Sequence, residues 1–207
     1  FQKLLLIDPK PIFPNDKIVA TSVGAKEIIK NCKVYDNLEL ATKNIDYLIA
    51  TSSRFRNKNI KHINLKDLSK LDFNKKIGFL FGSEASGLSN NEIIYANCTM
   101  HIPTNPNFKS INLSHSVIIV AQVVSSLIKI KKSKYKKSKK IKSASKKDIQ
   151  SMINLCINLL ENRNFFKPIE KKPIMLENLR SIFYKMELSE KETRILSSVF
   201  ANLAKKG

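Results

Sequence analysis

Short apolar runs alternate with amphipathic stretches through the first 128 residues, and that alternation predicts strands separated by helices. Residues 3–7 (KLLLI) read as a buried strand, closed by Asp8-Pro9-Lys10-Pro11. Helical spacing over 22–31 is followed by a strand at 32–35 (CKVY), a helix at 38–43 and a strand at 46–50 (DYLIA). Two more strands follow, 76–81 (KIGFLF) running into Gly82 and 99–102 (TMHI) running into Pro103. Ser89 with Glu92 three residues on forms a capping box that opens another helix. Residues 113–127 are apolar nearly all round, so that helix needs cover on several sides, from a second subunit among other sources. Strands alternating with helices predict a parallel α/β sheet, in which a ligand sits beyond the carboxyl ends of the strands.

The period changes after residue 147, where only helical patterns remain. Ile149, Ile153, Cys156 and Leu160 share one face, and Leu176, Leu179, Ile182 and Phe183 share another. Ser189 and Glu192 form a capping box ahead of Ile195, Leu196, Val199, Phe200 and Leu203. These stripes predict a small bundle of three helices whose apolar faces serve as core. The expected organisation is therefore an α/β domain over 1–128, a linker over 129–147 and an all-α C-terminal domain over 148–207.

Charge sharpens the middle segment. The chain carries a formal net charge of +20 on 207 residues, of which +6 lies in 1–128, +11 in 129–147 and +3 in 148–207. The segment KIKKSKYKKSKKIKSASKK holds 11 lysines, no acid and few apolar residues, so it reads as a mobile linker. A run of this kind attracts a polyanion, and each phosphate neutralised releases a counterion. Solubility alone does not call for so large an excess, and nucleic acid is the favoured partner. A membrane surface fits less well, because no apolar face accompanies the lysines. No apolar run reaches the roughly 18 residues of a membrane span, and no signal-peptide pattern opens the chain. Cys32, Cys98 and Cys156 are widely spaced and odd in number, which suits buried thiols in a reducing compartment and neither a disulfide framework nor a zinc site. His62, His101 and His115 do not cluster either and read as structural or surface groups, so no metal is expected.

Candidate chemistry lies in three loops at strand ends. Thr51-Ser52-Ser53-Arg54 has small hydroxyl residues that let a ligand approach the backbone. In 81–89, Gly82 and Gly87 permit backbone conformations that other residues resist. Glu84 is the one carboxylate of that loop; on the residues alone, satisfying backbone N–H groups and orienting a base or a ribose hydroxyl are equally open roles. The third loop, 102–114, is stiffened by Pro103 and Pro106 and supplies Asn and Ser groups; Ser110 and Asn112 also suit the capping of the helix that follows.

Taken together, these three segments, in this order, carry a family resemblance. Gly82-Ser83-Glu84-x-x-Gly87-Leu88-Ser89 resembles the second motif of the TrmH-like (SpoU) group in the SPOUT class of RNA methyltransferases. Ile102-Pro103 through Ser110-Ile111-Asn112-Leu113-Ser114 resembles the third. Asp8-Pro9-Lys10, Thr51-Ser52-Ser53-Arg54, Pro103-Thr104-Asn105-Pro106 and Leu188-Ser189-Glu190-Lys191-Glu192 are most similar to the TrmJ subfamily, the tRNA (cytidine/uridine-2′-O-)methyltransferases of position 32 in the anticodon loop. The likeness covers nearly the whole chain, least of all the lysine segment.

The resemblance implies a SPOUT-type parallel sheet with a trefoil knot at the carboxyl end of the first domain. It implies S-adenosylmethionine bent among three loops, tRNA as substrate, a homodimer that completes the site, and a cytoplasmic setting. Carried over residue by residue, Thr51, Ser52, Ser53, Gly82, Ile102, Lys109, Ser110 and Ile111 bind the cofactor. Glu84, Ser110 and Asn112 stand near the reacting ribose. The group's first motif, Asn-Ile-Gly-x-x-Ala-Arg, belongs ahead of the KLLLI strand and has no counterpart here; its Arg is the usual candidate for activating the 2′-hydroxyl. The chain is therefore expected to be a fragment, and Arg54 and Arg56 do not take that role on motif grounds. A non-catalytic RNA-binding protein on the same scaffold and an rRNA 2′-O-methyltransferase are the alternatives.

Overall fold

The structure is a computed structural model that describes residues 3–10, 12–53, 60–105, 107–108, 110–132 and 142–205. The first strands and helices are β1 (Leu5–Ile7), α1 (Asp16–Thr21), α2 (Lys26–Lys30), β2 (Lys33–Tyr35), α3 (Leu38–Thr42) and β3 (Tyr47–Thr51). They are followed by β4 (His62–Asn64), β5 (Ile77–Leu80), α4 (Asn90–Tyr95), β6 (Cys98–His101) and α5 (Leu113–Lys132). The chain ends in α6 (Lys146–Asn162), α7 (Lys172–Lys185) and α8 (Glu190–Lys205).

All strand pairs are parallel, in two sheets: a pair β1-β2 and a four-stranded sheet in the order β4-β6-β3-β5. β3 is central and alternates its faces. Tyr47 and Ile49 point to one side, where Cys98, Met100 and the α5 residues Val120 and Val124 complete a buried cluster. Leu48 and Ala50 point to the other, against Leu80 and the α4 residues Ile93 and Ile94. A strand buried on both faces has to be apolar at every position, which is why DYLIA reads as a continuous run. Truncating Ile49, which is wholly buried, would cost about 2–5 kcal/mol.

The region before Ala41 is built differently. Among the described residues it holds no buried side chain, and Val23, Ile28 and Val34 stand open to solvent. The helix expected over 22–31 is shorter than that, and a separate helix precedes it. Asn15 caps a separate α1, Gly24 turns the chain at φ +78°, and α2 begins only at Lys26. α1 and β4 have no counterpart in the sequence reading.

The tail helices pack around Ile149, Met152, Ile153, Cys156, Phe183 and Tyr184. Two faces differ from the expected stripes. On α7, Tyr184 is buried beside Phe183 and Ile182 lies outward; on α8, Leu196 and Phe200 face in while Ile195, Val199 and Leu203 are exposed. The apolar stripe of α8 is wider than the side facing α6. The lysine segment also differs from a free connector at both ends. α5 continues to Lys132, and from Lys142 onward the chain is docked. Ser143 bridges to Ser189, Ala144 is buried, and Lys146 begins α6 with its side chain wholly enclosed. Residues 133–141 lie outside the described set.

Candidate active site

Because β3 is bonded to β5 on one side and β6 on the other, the carboxyl ends of these strands lie together, and the loops that leave them converge. The first loop is tied to both neighbours. Thr51 Oγ1 donates to the Leu80 carbonyl at 3.0 Å, and the Ser52 amide donates to the Met100 carbonyl at 3.0 Å. His101 Nδ1 lies 3.4 Å from the Ser52 carbonyl.

The second loop turns back on itself. The Gly87 amide donates to the Ser83 carbonyl at 2.9 Å, the Ser83 and Ser86 hydroxyls are 2.7 Å apart, and Gly87 has φ +69°. A Cβ on Gly82 would stand 2.1 Å from the Gly87 carbonyl carbon, so the turn closes only over glycine. Ser89 then starts α4 through its capping box with Glu92.

The third loop ends at Asn112, whose Oδ1 accepts from the Ser114 amide at 2.9 Å and the Ser114 hydroxyl at 2.6 Å, so it caps α5. Its Nδ2 donates to Glu84 Oε1 at 2.5 Å, joining the third loop to the second.

Between the loops lies a cleft of about 550 Å³. Thr51, Ser52 and Ser53 line it from the first loop; Gly82 and Glu84 from the second; Ile102, Ser110 and Ile111 from the third. Asn112 reaches it through Glu84, while Lys109, Arg54 and Arg56 lie outside the described residues. The sequence reading missed Leu113 and Ser116, three apart on the first turn of α5, which also line the cleft; their helical spacing was the available signal. A hollow of about 740 Å³ along α8, between Lys191 and Leu203, includes none of the strand-end residues. The smaller cleft, where three loops bring polar groups together, is the candidate site.

Its chemistry fits a nucleoside-bearing cation. Leu88, Ile102 and Ile111 offer an apolar slot for a base, and loop backbone and hydroxyls are at hand for its polar edge. Glu84 is the one charged side chain among the described lining residues, and it is an acid. Among the described residues no group of three or more His, Cys, Asp or Glu side chains is placed to hold a metal ion. Likewise, no helix among them is long and apolar enough to cross a membrane. Cys32, Cys98 and Cys156 are free thiols.

The model of the SpoU rRNA Methylase family matches residues 1–122, which contain all three loops. The chain belongs to this family. It is similar over 205 residues, at 29% identity, to the tRNA (cytidine-2′-O-)-methyltransferase TrmJ of Methanocaldococcus jannaschii, covering 97% of this chain and 87% of that one. It is 27% identical over 216 residues to the tRNA (cytidine/uridine/adenosine-2′-O-)-methyltransferase TrmJ of Pseudomonas aeruginosa, covering 98% and 83%. The crystal structure of TrmJ from Z. mobilis ZM4 superposes with a TM-score of 0.84 at 25% identity, over 97% of this chain and 86% of that one. A SpoU-family α/β fold with parallel sheets, closely similar to a TrmJ structure, is therefore shown.

Proposed function

We propose that this chain is an S-adenosylmethionine-dependent ribose 2′-O-methyltransferase of tRNA, acting on cytidine or uridine at position 32 of the anticodon loop. The observation that carries the reading is the single cleft shared by Ser53, Gly82 and Ile111, with Glu84 and Asn112 joined at its side. The tRNA substrate is supported by the names of the TrmJ relatives and by the +20 charge of the chain.

The cofactor supplies a methyl group already activated by a sulfonium. What remains for the protein is alignment, which is worth about 7–11 kcal/mol of a barrier when the reacting atoms are well placed. Thr51, Ser52, Ser53, Gly82, Ile102 and Ile111 hold the cofactor through loop backbone and apolar contact; the family resemblance adds Lys109, which lies outside the described residues. Ser110 presents a hydroxyl to the ribose 2′-oxygen or its phosphate. Asn112, occupied at both ends of its amide, fixes Ser110 relative to Glu84 across the cleft. Glu84 supplies negative charge beside a cationic cofactor.

The same proposal takes residues 1–128 as the methyltransferase domain with its knot, 129–147 as an RNA-attracting linker and 148–207 as a helical domain. It also includes a cytoplasmic homodimer. α5 leaves Val117 and Ile118 open beside Ser116 of the cleft, an apolar face suited to a second copy. Mapping 2′-O-methylation on total tRNA, from cells with and without the gene, tests the reading. Loss of the mark at position 32 is expected. An unchanged map, together with no binding of S-adenosylmethionine to the purified chain, overturns it.

A further inference from the structure

Lys146 is a wholly buried lysine at the seam between the tail helices and the sheet. Its Nζ donates to the Tyr95 carbonyl at 3.0 Å, at the last residue of α4. The amine lies 5.5 Å from the centroid of the Tyr95 ring and 4.7 Å from that of Tyr184. Its backbone amide donates to Ile45 at 2.9 Å, just ahead of β3. Asn97, the second residue after α4, continues the seam: its Oδ1 accepts from the Leu48 amide at 2.8 Å and its Nδ2 donates to the Tyr184 carbonyl at 2.7 Å. The tail thus grips both ends of the short segment joining α4 to β6. From that segment α4 leads back to the Gly82–Ser89 turn and β6 leads on to Ile102, and residues 82–88 and Ile102 line the cleft.

We infer that Lys146 is a positioning residue, through which docking of the tail helices and binding in the cleft are coupled. The inference rests on the cleft being the cofactor site proposed above. The groups facing Lys146 are Tyr95 from α4, Tyr184 from α7 and Cys98 from β6, with Glu39 from α3 and Arg180 from α7 acting through the tyrosines. Burial dominates among them and holds the ammonium down to about 7, from an ordinary 10.5. Undocking exposes the amine, which then takes up a proton at any pH below its ordinary value. Docking is therefore tighter at high pH. It weakens as pH falls towards about 7 and changes little below that, where the amine is charged in both states.

Amide hydrogen exchange of the 207-residue chain, followed between pH 7 and 9 and corrected for intrinsic rates, tests this. The opening constant of the first turn of α6 is expected to fall by up to about tenfold per pH unit. Amides of α4 and of 82–89 should follow with the same slope. Lys146→Met keeps the side-chain length but neither titrates nor donates, and should abolish the slope in all three places. Saturating S-adenosylmethionine should in turn raise protection in α6, since coupling is reciprocal. A slope confined to α6, or one that survives in the Met variant, overturns the inference, as does a cofactor that binds and leaves α6 protection unchanged. If the Met variant does not fold, the wild-type slopes in α4 and α6 decide alone. If the cofactor does not bind at all, the functional reading fails, while the shared pH slope still decides whether tail and cleft loops are coupled.

Discussion

Asn112 and Glu84, 28 residues apart, meet through a 2.5 Å hydrogen bond from Nδ2 to Oε1, while Oδ1 of the same amide caps α5. One side chain thereby sets both where α5 begins and how far the third loop stands from the second. An amide suits this task because it donates at one atom and accepts at the other.

This arrangement predicts coupled losses. Asn112→Ala removes a cap, at about 0.5–2 kcal/mol, and frees Glu84. A double-mutant cycle of Asn112→Ala with Glu84→Ala, read by thermal melting, should return a coupling of about 0.5–3 kcal/mol. Glu84→Gln keeps an acceptor at Oε1 and should melt close to the wild type. Strict additivity of the two alanine variants would show that the bond carries no structural role.

Gly82→Ala and Ser110→Ala should fail in different ways. The added methyl at 82 has nowhere to go but the Gly87 backbone, so the turn must open. Cofactor affinity, measured by titration calorimetry, should drop by more than about tenfold, equivalent to 1.4 kcal/mol. Ser110→Ala leaves the backbone alone and should lower kcat by roughly 100-fold with little change in cofactor affinity, the signature of lost alignment.

Thiol labelling should be ordered in time. Cys98 is wholly buried, and that burial pushes its thiol up to about 11 despite a hydrogen bond with Tyr47. Cys156 is buried too, while Cys32 is partly open. Ellman's reagent at pH 8 should therefore modify Cys32 first and the other two only in denaturant. Rapid native labelling of all three would contradict the packing of β6 and α6.

Replacing the seven lysines of 131–140 by serine should weaken tRNA binding and flatten its dependence on salt, because fewer counterions are released. Cofactor affinity should not move. An unchanged salt slope would remove this segment from the RNA footprint.

Much of this was legible in the residues. DYLIA and KIGFLF announced β3 and β5 because a strand buried on both faces has no polar positions to interrupt it. Ser89 and Glu92 announced α4 because a capping box is local chemistry. The three loops were found through glycine, proline and hydroxyl content, and they do line one cleft. What stayed hidden was long-range. Nothing near Asn112 in the chain points to Glu84, and nothing in a run of lysines marks Lys146 as the one enclosed between two tyrosines.

That none of the described residues before Ala41 has an enclosed side chain has a thermal consequence. The β1-β2 ribbon and its two small helices can peel away while β3, β5 and β6 keep their shared clusters. Peeling of this kind draws on far less free energy than melting the whole molecule. Proteases should therefore nick the first forty residues at temperatures where the crevice at the strand ends is still intact.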